Sequence, residues 1–190
     1  RIPRYTSDLQ KMNPWPLHVT ATIVHGPYGF TKVYTWYNEF PHDSNILIEC
    51  FLRTLVTVQA RRPDGKLPPV LYLQLDNATT NKNRWLVSLL AVLVELGIFK
   101  KIKLCFLMVG HTHNDVDQFF SLLLRLSVDK GLEIMTLPEM HEFFQTLLKG
   151  KTIVEHVDRV LDYKAWLDVL KASTIRNIST PRQFRFKMFG

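Results

Sequence analysis

Five acidic and imidazole side chains in this sequence stand where metal chemistry could use them. Leu71-Tyr-Leu-Gln-Leu-Asp76-Asn77 is an apolar run that ends in a carboxylate. Gly110-His-Thr-His-Asn-Asp-Val-Asp117 follows a second apolar run and gathers His111, His113, Asp115 and Asp117 into one short stretch. One chemistry sets Asp117, with Asp115 in reserve, against Asp76 across neighbouring strands. Their hard oxygen donors would then hold Mg²⁺ or Mn²⁺. Two such ions roughly 3.5–4 Å apart activate a nucleophile and stabilise the leaving oxygen in phosphodiester cleavage or transfer. The plainer alternative gives each residue a structural job. Asp76 with Asn77 would cap the following turn, and the histidines would hydrogen-bond a strand-to-helix corner.

A second chemistry uses His111, His113 and Asp115 as Zn²⁺ ligands. Their spacing is similar to the His-x-His-x-Asp-His signature of metallo-β-lactamase-type hydrolases, with the final His replaced by Val116. A separate set of residues suits phosphate. Lys82 and Arg84 fall at the start of a helix candidate, where free backbone N–H groups favour anions. Arg182, Arg185 and Lys187 lie in a tail that has no acid between Arg176 and Gly190. Arg185 and Lys187 alternate with aromatics, so they share one strand face and could track a phosphate backbone, or simply keep an edge strand in water.

The elements that must position these groups are legible from periodicity. Leu17–Val24 and Phe30–Tyr37 alternate as strands around the turn residues Gly26-Pro27-Tyr28-Gly29. Asp43 or Ser44 caps a helix over 45–60. Residues 70–75 form a short apolar strand of the buried, central kind, and 81–96 a helix apolar nearly all round that stops at Gly97. A strand over 102–109 and a helix over 117–126 follow. The predicted order is strand, strand, helix, strand, helix, strand, helix, with its last three steps built as right-handed crossovers on a parallel sheet. The fold class is therefore α/β. Residues 1–16 read as an extended lead-in, 17–132 as the core, and 133–190 as a small C-terminal α+β appendage. The appendage has a capping box at Thr136-Leu-Pro-Glu139 opening a helix to about 148, a strand over 152–157, a helix over 162–170 and a basic strand over 184–189.

Composition narrows the class further. Apolar residues make up 46% of 190, which is ordinary for a folded domain and argues against disorder. The longest apolar stretch, Leu86 to Phe99, is interrupted by Ser88, Glu95 and Gly97 and falls short of the roughly 20 residues a bilayer requires. Neither a membrane nor a disulfide partner is expected: Cys50 and Cys105 read as two buried thiols in a reducing, intracellular compartment. The net charge of +7 suits a polyanion such as DNA. Composition leaves the oligomeric state open.

Acid placement and topology together resemble the ribonuclease-H-like superfamily, in the branch of DDE/D transposases and retroviral integrases. More closely, the chain resembles a transposase-derived domain found in many copies in eukaryotic genomes. The matching residues are Leu75-Asp-Asn77 with Asn81-Lys-Asn83, and Phe106-Leu-Met-Val-Gly-His-Thr-His113 with Asp115, Asp117 and Gln118. His25-Gly26 and Pro41-His-Asp-Ser-Asn45 match as well. The resemblance covers about 17–128 well and the tail loosely. It implies a ribonuclease-H-like mixed sheet with flanking helices, a nuclear location and a Mg²⁺- or Mn²⁺-dependent nuclease or strand-transfer activity on DNA. It makes Asp76 the second catalytic acid and Asp117 the third. It also implies that an Asp-Gly-Met-Asp strand precedes a stretch like Arg1-Ile-Pro-Arg4. On that expectation the sequence starts after the first strand and its acid, and Leu17–Val24 is the second strand. A domesticated relative that only binds nucleic acid or protein is the alternative.

Overall fold

The computed structural model of the chain describes residues 15–107, 114–129, 131, 133–147 and 150–188. They form a mixed α/β fold of six strands and five helices, with the strands arranged as two three-stranded sheets. The strands are β1 (Leu17–Val24), β2 (Phe30–Tyr37), β3 (Val70–Leu75), β4 (Lys101–Phe106), β5 (Thr152–His156) and β6 (Gln183–Lys187). The helices are α1 (Ser44–Arg61), α2 (Arg84–Glu95), α3 (Asp115–Asp129), α4 (Leu137–Leu147) and α5 (Tyr163–Val169), and a 3-10 turn follows at Ala172–Thr174. The chain divides into two compact units. One comprises Arg1–Pro41 and His113–Arg159, the other His42–Thr112 and Val160–Gly190.

In the first unit β1 and β2 form the antiparallel hairpin that their alternation predicts, registered from Leu17 opposite Tyr37 to Val24 opposite Phe30. The turn closes through Gly29 N–H donating to Gly26 O at 3.0 Å, with Gly26 at φ +106°, a conformation an L side chain rarely adopts. β5 pairs parallel to β2 on its other edge, placing Thr35 opposite His156. β2 is therefore the central strand, buried almost throughout. Its Lys32 survives burial by pairing with Glu155 at 2.7 Å across the β2–β5 ladder. Helices α3 and α4 cover one face: Phe119, Leu123 and Phe144 pack with Val33, joined by Val19, Ala21, Ile23 and Val154.

In the second unit β3, α2 and β4 make a parallel crossover unit, with Leu71 opposite Ile102 and Leu75 opposite Phe106. β6 adds antiparallel to the far edge of β4, with Phe184 opposite Leu104 and Phe186 opposite Ile102. The core lies on one side of this sheet, where Ile102, Leu104 and Phe106 meet Leu86, Leu89, Leu90 and Leu93 of α2. Burying each such side chain contributes about 1.5–3 kcal/mol. The all-round apolar character of α2 has its expected result: α1, α5, β4 and β6 surround it. The helix stops as predicted. Gly97 at φ +71° lets Ile98 N–H reach Leu93 O at 3.0 Å and Gly97 N–H reach Val94 O at 2.9 Å, a Schellman closure.

Three expectations differ from the structure. β3 is the edge strand of its sheet, not a central one, and Tyr72 is 70% exposed. A short apolar run reads the same whether one face or both are covered, so periodicity could not separate the two cases. The predicted succession of parallel crossovers reduces to β3–α2–β4, because β2 and β3 belong to different sheets. Finally, 133–190 supplies one strand to each sheet, β5 beside β2 and β6 beside β4, where an appendage of its own was expected. Such long-range pairings leave no local trace in sequence.

Candidate functional site

The turn from β3 to α2 is built from the side chains that the sequence singles out. Asp76 follows the last residue of β3 and is exposed. Its Oδ1 accepts from the backbone N–H of Ala78 at 3.0 Å and from Asn81 Nδ2 at 2.5 Å. Asn83 is the N-cap of α2. Its Oδ1 accepts from Leu86 N–H at 2.8 Å and its Nδ2 donates to Thr80 O at 2.8 Å. Asn81 and Asn83 thus do different work two residues apart: one holds the carboxylate, the other starts the helix. Both bonds to Asp76 fall on the same oxygen. Among the described residues Oδ2 has no donor, and the side chain is exposed.

Lys82 and Arg84 extend from the same turn. Lys82 Nζ donates to Ser179 O at 2.6 Å and lies 5.2 Å from the centre of the Phe106 ring. Arg84 donates to Ser173 O at 2.7 Å and lies over Trp85. Together with Trp85, Arg176, Asn177 and Ser179 they line a cavity of about 300 Å³ at the start of α2. Both cations thus tie down the segment that leads to β6.

Asp115 and Asp117 open α3, in the other unit from Asp76. Asp117 N–H donates to Asn114 Oδ1 at 2.8 Å, and Asn114 N–H donates to Asp117 Oδ2 at 3.3 Å. This is a capping box, with Asn114 in the place of the usual Ser or Thr. Asp115 Oδ2 lies 3.2 Å from His25 Nε2, with both side chains well exposed. His111 and His113 lie outside the described residues, and with them the proposed zinc set. Of the remaining basic candidates, Arg182 precedes β6 and accepts Phe106 N–H on its carbonyl at 2.8 Å. Arg185 and Lys187 stand on the exposed face of β6.

Sequence reasoning missed a polar cluster in the first unit. Thr35 Oγ1 lies 2.9 Å from His141 Nε2 on α4 and 3.1 Å from His156 Nδ1 on β5, joining three elements through one buried hydroxyl. Partial burial, and secondly the neighbouring His156, hold the His141 imidazole below its ordinary value of 6.5. No local signal links residues so far apart in sequence. The second unit has its own such network. Tyr163 OH donates to Glu49 Oε2 at 2.7 Å while Arg53 Nε donates to Glu49 Oε1 at 2.6 Å, and Lys164 pairs with Asp43, the N-cap of α1.

Cys50 and Cys105 are free thiols, and among the described residues no helix is long and apolar enough to cross a membrane. No curated protein and no solved structure matches the chain significantly. Residues 7–189, nearly the whole sequence and every element of both sheets, match one family, and the chain belongs to it: the family described as "Domain of unknown function (DUF7869)".

Proposed function

We propose that this chain is a nucleic-acid-processing domain of the transposase or integrase type, acting on DNA phosphodiesters with Mg²⁺ or Mn²⁺. The observation that carries this reading is Asp76. It is exposed at the carboxyl end of a strand in a parallel crossover unit, the edge at which open α/β sheets place their ligands. It is also oriented by Asn81, and its other oxygen has no donor among the described residues. Carboxylates that ligate metals are themselves hydrogen-bonded in this way. Asp117, with Asp115 in reserve, is the companion acid that the resemblance assigns. All are hard oxygen donors, which fits Mg²⁺ or Mn²⁺. Divalent ions supply charge stabilisation for the attacking and leaving oxygens. The chain's own part is to hold the carboxylates and to offer cations to the phosphate backbone.

The test is cleavage or strand transfer of labelled DNA by the natural full-length chain in Mn²⁺, with Asp76→Asn and Asp117→Asn. Each substitution is expected to lower the rate about 100-fold or more, since loss of even an outer partner of a metal site costs 10–100-fold. Unchanged cleavage in both variants would sink the proposal.

A second reading has its own support. Asp117 has a capping role and Asp115 a histidine partner, so both acids have uses without catalysis. In that case the domain binds nucleic acid or protein and cuts nothing. Binding that survives loss of both acids yet weakens steeply with salt would favour it, because displaced counterions make phosphate binding salt-dependent.

A further inference from the structure

We infer that the face of the β3–β4–β6 sheet opposite its helices is a docking surface for a nucleic-acid phosphate backbone. The register places the residues. Lys101 stands opposite Lys187 and Lys103 opposite Arg185 on the antiparallel β4–β6 pair. On the other side of β4, Tyr72 stands opposite Lys103 and Gln74 opposite Cys105. Side chains alternate across a strand, so these residues share one face, while Ile102, Leu104, Phe184 and Phe186 occupy the other with the core. The strands therefore present four cations and no acid on this side, with Tyr72 standing out of it at 70% exposure. Lys103 Nζ lies 5.1 Å from the centre of the Tyr72 ring.

Two like-charge pairs directly across a ladder are destabilising, because opposed Cβ atoms are only about 4.5–5.5 Å apart. Solvated edge strands do carry lysines, but alternating them with acids or amides would avoid this repulsion. Among the described residues none of the four cations makes an ion pair with a carboxylate, so no described acid relieves it. A polyanion laid along the face does. Residues two apart on one strand are spaced about 6.7 Å, so the cations form a small grid that can meet successive phosphates, and an exposed aromatic ring beside it can take a base. Arg185 and Lys187 are thus joined by Lys101, Lys103 and Tyr72. Lys82 and Arg84, tied to backbone carbonyls near α2, are not part of this face.

The surface does not depend on the carboxylates, so its test excludes metal. Binding of a fluorescent single-stranded 20-mer, in deoxy and ribo forms, is measured by anisotropy in EDTA over a series of salt concentrations. The two forms tell which nucleic acid supplies the shared backbone. Lys103→Gln with Arg185→Gln should weaken binding about tenfold or more at low salt and flatten the log–log salt slope by about 1.4, or 0.7 for each lost phosphate contact. Lys101→Gln with Lys187→Gln should do the same, which guards against misfolding of one variant. Neither pair should melt below the parent, because each removes a repulsion. Lys171→Gln, beyond the helices, should bind as the parent does. Unchanged affinity in both paired variants overturns the inference. So does polyglutamate that competes as well as the oligonucleotide at equal charge, which would make this a surface for acidic protein.

Discussion

Asn114 and Asp117 hold one another across the first turn of α3, each accepting the other's backbone N–H. Asp117 is thus both the proposed third catalytic acid and half of a helix cap, and a substitution there reads out two roles at once. Replacing Asn114 by Ala should cost about 1 kcal/mol, as loss of an N-cap does. Asp117→Asn keeps an acceptor and loses only the charge near the helix start, about 0.3–1 kcal/mol. Urea denaturation separates the two roles. A chain carrying Asp117→Asn that stays within about 1 kcal/mol of the parent, yet no longer cleaves DNA in Mn²⁺, places the defect in chemistry. A matching loss of fold and activity would place it in the cap.

Asn81 should matter to metal affinity more than to stability. Its Nδ2 donates to Asp76 on an exposed turn, so Asn81→Ala should cost about 0.5–1.5 kcal/mol of folding free energy. Freeing the carboxylate should weaken Mn²⁺ binding about 10–100-fold. Calorimetric titration with Mn²⁺ and a denaturation curve on the same sample decide the point. Equal Mn²⁺ affinity in variant and parent would mean that Asn81 only closes the turn.

The His141–Thr35–His156 cluster predicts a pH dependence with a definite sign. The native fold holds His141 below 6.5, so the unfolded chain takes up that proton first as the pH falls. Stability from this group is complete above about pH 6.5, the ordinary imidazole value. It is lost as the pH drops from there through the lowered native value. Melting temperature should fall over that window, and His141→Gln, whose amide can still meet Thr35, should flatten the fall. Parallel pH profiles for variant and parent would remove His141 as the cause.

The two faces of β3–β4–β6 should respond oppositely to truncation. Leu104 is fully buried against α2, and Leu104→Ala should cost about 2–5 kcal/mol through lost contacts and a residual cavity. Tyr72 projects from the other face, and Tyr72→Ala should stay within about 0.5 kcal/mol. Denaturant midpoints test the contrast. A large loss at Tyr72 would show that this face packs against something.

Local periodicity was enough to place β1, β2 and β3 residue for residue, and to place the other elements within a few residues of their observed ends. The reason is physical: alternation, caps and turn glycines act within one or two turns of the chain. Asp43 caps α1, Thr136 and Glu139 box α4, and Gly97 ends α2, each through bonds spanning no more than five residues. The candidate acids were legible for the same reason, since each follows or opens an element with a strong pattern. Which strands become neighbours was not legible. β2 with β5 and β4 with β6 join segments more than 70 residues apart in sequence, and nothing local encodes the choice. That choice made β3 an edge, brought two histidines to one threonine hydroxyl, and set Lys103 opposite Arg185. Sequence by itself determined the elements and the chemistry they could carry. Only the tertiary structure decided which side chains meet, because cross-strand register is fixed by burying one face of each sheet and the charges on the other face follow it.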